Sequence, residues 1–438
     1  MKLGFLSLPY VGHLNPMTAL ARRMQSRGHE VVFIGVPDVE PFALAAELPF
    51  FSFCGEEFPT GSITKVFGPA AKLHGLEVSR WSVRAAAPDL FKAASKHLPQ
   101  KLAEAGVDAL VIDAIYTFVE LVPMSLGIPY AQIWNVLHVD LSGATPPCHF
   151  SWPNEATPEA WARNIEGAKS VFEIFAQVLP VAMSYAEEVG LQIDWSNPSA
   201  TTSKLAVITQ TPKEFDFSGA PWPAQFHYAG PFHDSDGRQA IPFPWDQLGA
   251  NPIVYASMGT LLNGLEHVYK TILGVFEKLP EIQLVFSIGT NIDPNDLGPI
   301  PSNAIIVRTA PQIELLKRAT LCVTHAGLNT ALESLSQGVP MVAIPIGYDQ
   351  PGVAARIAHH GVGEFVELQD LTIEHLGGVI QKVMENPVYR DKARYFRKVI
   401  AETNGLDVAA DAIECAFEKN LLASCSDDRC VAKTDGEV

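Results

Sequence analysis

Short, mostly apolar runs alternate with segments of helical spacing, and they do so twice along the chain. In the first half the runs lie at 3–8, 31–34, 50–53, 109–112 and 130–134, with 205–209 and 226–229 following. In the second they lie at 253–256, 284–288, 305–307, 321–324 and 339–344. A strand buried on both faces reads as an unbroken apolar run, and such strands belong to parallel sheets covered by helices. The expected fold class is α/β, with two Rossmann-like parallel-sheet domains facing a cleft. A chain of 438 residues is also too long for one core. The expected division is 1–232, a polar then Pro-rich linker at 233–248, 249–404, a closing helix at 405–423, and a polar, disordered tail at 424–438.

The first turn lacks the G-x-G-x-x-G of a dinucleotide site, which removes support for nicotinamide or flavin chemistry. Instead the run at 3–8 ends in Pro9-Tyr10-Val11-Gly12-His13, and the spacing predicts a helix capped by Asn15 with Pro16 at its first position. The run at 109–112 ends in Asp113. Open parallel sheets bind ligands beyond the C-terminal ends of their strands, so His13 and Asp113 are both expected there. A histidine titrates near neutrality and can take a proton from a hydroxyl, and a carboxylate on its other nitrogen fixes the tautomer. Residues 60–105 read as mainly helical, with irregular breaks. Residues 135–200 carry many aromatics and prolines, and Tyr116, Trp134, His138 and Phe150 are candidates for lining an acceptor pocket.

The densest stretch is 308–350, RTAPQIELLKRATLCVTHAGLNTALESLSQGVPMVAIPIGYDQ. It reads as loop, helix, strand, loop, helix, strand, loop. A helix start offers unpaired N–H groups and a positive dipole end, which suit phosphate. The small residues Ala326 and Gly327 let a diphosphate approach the backbone. His325, Asn329 and Thr330 add side-chain donors. Glu333 lies one helical turn beyond Asn329, where it can accept hydrogen bonds from ribose hydroxyls. Asp349 and Gln350 follow the next run and can read sugar hydroxyls. The expected ligand is a sugar nucleotide.

Charge narrows the alternatives. With 31 basic against 48 acidic residues the net charge is −17, so a nucleic-acid backbone is not an expected partner. An anionic donor must be held by local dipoles. The six cysteines, Cys54, Cys148, Cys322, Cys415, Cys425 and Cys430, are scattered and form no C-x-x-C, which points to reduced thiols and a cytoplasmic setting. Pro9 and the polar residues after it cut the first apolar run too short for a signal peptide. No run of about 18 apolar residues is present. Asp234-x-Asp236 falls in the expected linker rather than after a core strand, so no metal site is assigned.

The order Pro311-Gln312, His325-x-Gly327-x-Asn329-Thr330, Glu333, Gly338-Val339-Pro340 and Asp349-Gln350 resembles the donor-sugar signature of family-1 glycosyltransferases, which have the GT-B fold. Gly12-His13-x-Asn15-Pro16 resembles the family's first turn. The resemblance implies His13 as catalytic base with Asp113, and a donor site drawn from Gly12, Thr260, Thr309, Gln312, His325, Gly327, Asn329, Thr330, Glu333, Asp349 and Gln350. Gln312 would contact the base, His325 and Thr330 the diphosphate, Glu333 the ribose, and Asp349 with Gln350 the sugar. It also implies a C-terminal helix crossing back onto the first domain, and no cofactor beyond the donor substrate. Thr309 and Leu328 stand where plant members carry Trp, which points to a microbial branch and leaves UDP and dTDP both open as the donor nucleotide. The implied reaction is inverting transfer of glucose from UDP-glucose to a hydroxyl of an apolar small molecule, of carotenoid, polyketide or phenolic type. A sugar-nucleotide epimerase or hydrolase, and a non-catalytic sugar-nucleotide-binding subunit, are the alternatives. Oligomeric state is left open.

Overall fold

The first seven strands form one parallel sheet: β1 (Lys2–Leu6), β2 (Glu30–Gly35), β3 (Phe50–Ser52), β4 (Ala109–Asp113), β5 (Tyr130–Trp134), β6 (Ala206–Thr209) and β7 (Phe226–Tyr228). Their order across the sheet is β3-β2-β1-β4-β5-β6-β7. The second sheet holds β8 (Ile253–Ser257), β9 (Gln283–Ser287), β10 (Ala304–Val307), β11 (Ala319–Thr324), β12 (Met341–Ala343) and β13 (Gly363–Phe365), in the order β10-β9-β8-β11-β12-β13. Every pairing is parallel. The computed structural model describes residues 1–234, 238 and 240–431, with side chains to residue 420. The expected linker residues 235–237 and 239, and residues 432–438 of the expected tail, lie outside the described residues.

In both sheets the strand order reverses once, between β1 and β4 and between β8 and β11. A crevice opens at such a switch point, beyond the carboxyl ends of the two strands. His13 follows β1 and Asp113 ends β4, while Gly259 follows β8 and His325 follows β11. The alternation of apolar runs therefore sets two ligand crevices as well as two sheets. β13 is a short strand the apolar pattern did not reveal. Gly363 opens it because a Cβ there would lie 2.0 Å from the Met341 carbonyl oxygen on β12.

The first helix corrects one expectation. It spans Val11–Ser26, so Asn15 does not cap it and Pro16 sits inside it. Tyr10, in an extended conformation, precedes the first turn. A proline has no N–H to give the carbonyl four residues back. Pro16 thus leaves the Gly12 carbonyl without its helical donor.

Residues 62–86 are mainly helical with irregular breaks, as expected: Ser62–Phe67, a 3-10 turn Gly68–Lys72, Leu76–Trp81 and a π turn Ser82–Ala86. This segment leaves the first domain's core and reaches the second. Ala70 and Val78 pack in the second domain's apolar cluster, and the Gly75 N–H donates to the Ile346 carbonyl at 2.7 Å.

The last helix, Gly405–Val431, crosses back. Ala409, Ala410, Ile413 and Phe417 join the first domain's core. Arg27 meets Asp407 at 3.0 Å, Asp411 at 2.6 Å and Glu414 at 2.9 Å. The helix runs past residue 423, where a disordered tail was expected, since neither Gly nor Pro occurs between 406 and 431 to stop it. No helix among the described residues is long and apolar enough to cross a membrane.

Docking of this helix makes Phe417 a core residue, 1% exposed. Phe417→Ala should cost about 3–5 kcal/mol, read as a fall in unfolding temperature or denaturant midpoint. A change within about 0.5 kcal/mol, the size expected of a surface substitution, would contradict the docking.

Candidate active site

Parallel pairing of Leu6 with Ile112 carries Leu8 to the end of β4. There the Asp113 carboxylate is held from several sides. Oδ2 takes the Leu8 N–H and the Ser7 hydroxyl, each at 3.4 Å, and Oδ1 accepts the Ile115 N–H at 3.2 Å. The same Oδ2 lies 2.7 Å from Nδ1 of His13. Asp113 is 1% exposed, whereas 13% of the His13 side chain reaches solvent. Nε2 of His13 has no protein partner among the described residues and is the nitrogen left for a substrate. Burial alone would lower the His13 pKa. The Asp113 charge and its hydrogen bond, with a smaller contribution from Asp349, outweigh burial and raise it above the ordinary value.

Across the cleft, the helix Leu328–Gln337 is preceded by Gly327 and closed by Gly338 in the left-handed region at φ 69°. Ala326 holds φ 65°, a conformation that non-glycine residues reach at a cost, at the turn expected to meet phosphate. His325 is wedged between backbones: a Cβ on Gly259 or on Gly327 would lie 2.5 Å from its Nε2. Burial pushes its pKa down to about 4, so the ring is neutral near pH 7. Its Nδ1 is buried without a partner. His325 is therefore a hydrogen-bonding group here and not a cation.

The remaining donor-site residues form a second cluster. Gln312 donates to Glu333 Oε2 at 2.7 Å and to the Thr330 hydroxyl at 3.3 Å, and it accepts from the Tyr255 hydroxyl at 3.0 Å. Arg238 lies 2.6 Å from Glu333 Oε1. Gln350 holds its own loop, accepting the Ile346 and Gly347 N–H groups at 2.9 and 3.1 Å. Thr260 and Thr309 are exposed.

The two sides touch directly. Asn329 donates to the Gly12 carbonyl at 2.6 Å, the carbonyl that Pro16 leaves open. Gln210 donates to Asn329 Oδ1 at 2.8 Å and to the Asn135 carbonyl at 2.9 Å. Asp349 accepts the Leu137 N–H at 2.8 Å. The Ser82 and Tyr348 hydroxyls lie 2.6 Å apart. Tyr348 has φ 54°, so the residue that leads into Asp349 is itself in the left-handed region.

The expected acceptor-pocket residues are dispersed. His138 is buried, with Nδ1 3.2 Å from the Thr209 hydroxyl and Nε2 2.8 Å from Asp216. Both nitrogens are engaged inside the protein, which corrects its placement in an open pocket. Phe150 is stacked on Trp152 at 4.0 Å, Tyr116 is buried, and Trp134 is half-buried at the end of β5. The aromatics nearest His13 are others. The Tyr10 ring centre lies 5.8 Å from His13 and 4.7 Å from Phe67, which in turn lies 5.7 Å from Trp81. Asn135 was also missed. It is 0% exposed, and neither atom of its carboxamide has a partner. Arg238, Tyr255 and Asn135 carry no local motif. Only their position after a strand or beside one could have signalled them.

Among the described residues, Cys54, Glu57 and His97 bring possible metal-ligand atoms within 4.8 Å of one another. The Lys96 ammonium sits 2.9 Å from Glu57 Oε1, and that cation competes with any metal for the same oxygen.

Residues 238–407 match the family described as UDP-glucoronosyl and UDP-glucosyl transferase. Over 408 residues the chain is 26% identical to a zeaxanthin glucosyltransferase of Pantoea ananas, covering 93% of this chain and 94% of that one. It is 26% identical over 430 residues to the NDP-glycosyltransferase YjiC of Bacillus subtilis, covering 96% and 98%. The solved kitacinnamycin glycosyltransferase superposes with a TM-score of 0.72 at 21% identity, over 95% of this chain and 98% of that one, which supports the fold. With both switch-point crevices and the donor-side motif in place, the chain is a glycosyltransferase in the GT-B fold, and its residues 238–407 match the UDP-glycosyltransferase family.

Proposed function

We propose that the protein is an inverting glucosyltransferase that moves glucose from UDP-glucose to a hydroxyl of an apolar small molecule. One observation carries this reading. A base held on a buried carboxylate, His13 on Asp113 at 2.7 Å, adjoins the start of a phosphate-ready helix, through the hydrogen bond from Asn329 to Gly12. Nε2 of His13 takes the acceptor's hydroxyl proton as that oxygen attacks the anomeric carbon. The bond from this carbon to the diphosphate breaks, and the diphosphate leaves with the electron pair. One in-line displacement inverts the anomeric centre. Asp113 keeps the Nδ1–H tautomer and stabilises the imidazolium. The helix-start amides and the neutral His325 meet the charge that develops on the diphosphate. Glu333 receives the ribose hydroxyls, Gln312 the base, and Asp349 with Gln350 the sugar.

The unpartnered carboxamide of Asn135 supports a polyhydroxylated ligand, because buried polar atoms are ordinarily satisfied. The aromatic row Tyr10, Phe67 and Trp81 beside His13 supports an apolar acceptor. So does the relative named for zeaxanthin. UDP is favoured over dTDP on one ground: Glu333 can accept two ribose hydroxyls but only one from deoxyribose.

The test is a mass assay of glucose transfer from UDP-glucose, and from its thymidine counterpart, to an acceptor panel. His13→Ala should lower kcat by about 100-fold or more with folding intact, and full activity in that variant would remove His13 as the base. A raised His13 pKa means that the neutral base appears only at higher pH. Activity should therefore rise with pH through a limb above ~6.5. Asp113→Asn should move that limb to lower pH while slowing transfer, and a limb that stays put would show that Asp113 does not set the base. Glu333→Ala should raise KM for UDP-glucose by roughly tenfold and for the thymidine donor by less; equal effects on both would remove Glu333 from the ribose.

A further inference from the structure

The helix Gln350–His359 and the residue before it, Asp349, meet the first domain along one stripe. Asp349 accepts the Leu137 N–H at 2.8 Å. One turn on, the Gly352 N–H donates to the Cys148 carbonyl at 2.8 Å, and a Cβ on Gly352 would lie 2.6 Å from the Cys148 Cα. One more turn brings Arg356, whose Nε and Nη2 both reach Asp216 Oδ1, at 3.0 and 2.7 Å. Residues at this spacing share a helix face, so one face of this helix is applied to the first domain at three successive levels.

The third level is ionic and sealed. The Arg356 and Asp216 side chains are each 3% exposed. The Asp216 carboxylate also takes the Phe217 N–H at 2.8 Å, His138 Nε2 at 2.8 Å and the Tyr228 hydroxyl at 2.5 Å. Arg356 further donates to the Gly352 carbonyl at 3.0 Å and lies over the Phe217 ring at 4.1 Å. Separating the two would leave each buried charge with only its remaining hydrogen bonds and without its opposite charge, which is strongly unfavourable. The other polar contacts across the cleft described above, Asn329 to Gly12, Gln210 to Asn329, Gly75 to Ile346 and Ser82 to Tyr348, are between neutral groups. The segment that carries His138 also carries Leu137, which touches Asp349. The pair therefore acts on both sides of the contact that sets where Asp349 stands.

We propose that Arg356, through its buried pair with Asp216, is a positioning residue for the transfer reaction: it seats this helix on the first domain so that Asp349 stands beside His13. This rests on the proposed roles of His13 as base and Asp349 as sugar reader. The groups facing His13 are Asp113 at the end of β4, Asp349 before the seated helix and Tyr10 before its own helix. Asp349 is the one of these that Arg356 positions. Its charge favours the imidazolium, so withdrawing it lowers the pKa of His13.

The test follows the His13 ring by NMR titration, with its signals assigned by loss in His13→Gln, alongside kcat and KM for donor and acceptor. Arg356→Met should lower the His13 pKa by about half a pH unit and kcat by roughly tenfold, while acceptor KM stays within about twofold. Arg356→Lys should restore part of both. Asp349→Asn should lower the His13 pKa in the same direction, and adding Arg356→Met to it should lower it little further. The Asp216→Leu/Arg356→Met double variant leaves no lone buried charge, and it decides the question if a single variant does not fold. A folded variant lacking the pair, with His13 titrating and turning over as in the unaltered protein, would overturn the proposal. The titration needs no substrate. A protein that transfers no glucose would defeat the functional reading and still leave the positioning role measurable.

Discussion

Parallel pairing of β1 with β4 is the constraint on which the rest depends. His13 and Asp113 are 100 residues apart, and neither has a local reason to meet the other. Five-residue strands in register bring their ends together, and a sheet that reverses its order at that point leaves no strand between them. The carboxylate is then fixed by backbone N–H groups from both strands' extensions before it touches the imidazole. Geometry for a base of raised pKa thus comes from the sheet, and loops add only the ring itself. The second sheet repeats the arrangement between β8 and β11, with glycines where the first has a base.

An acidic chain leaves local dipoles to meet the charge of the proposed donor. A chain of net charge −17 that is proposed to bind an anionic donor could instead have set cations against the diphosphate. His325 does not serve, because burial keeps it neutral. In the proposed reading, amides at a helix start and a left-handed Ala326 take that role, with partial charges already oriented. The nearby arginine, Arg238, is paired with the Glu333 carboxylate. Its pairing with Glu333 couples the segment between the two sheets to the group proposed for the ribose.

Much of this was legible in the residues. Apolar runs gave both sheets, because buried parallel strands need continuous apolar sequence, and the turn into the helix Leu328–Gln337 was visible in its run of glycine, small and polar residues. Three features were hidden, each for a physical reason. Gly363–Phe365 is too short to show a pattern and is a strand only because Met341 lies beside it. His138 looked like a pocket aromatic, but its fate depends on Asp216 and Thr209, which approach only in three dimensions. The aromatics Tyr10, Phe67 and Trp81, proposed for the acceptor side, come from two segments whose meeting no local signal announces.

Pro16 shows how far a missing atom can act. It has no polar side chain, it touches no proposed substrate, and it sits within a helix of one domain. By withholding a hydrogen it leaves one carbonyl of its own helix open, and a carboxamide from the opposite domain, Asn329, fills that opening. Any other residue at this position would offer an amide hydrogen from inside the helix, and Asn329 would become a competitor for a lone pair it now shares with no backbone donor. The joint between the halves is thus written partly as an omission, and a survey of side-chain contacts alone would pass over it.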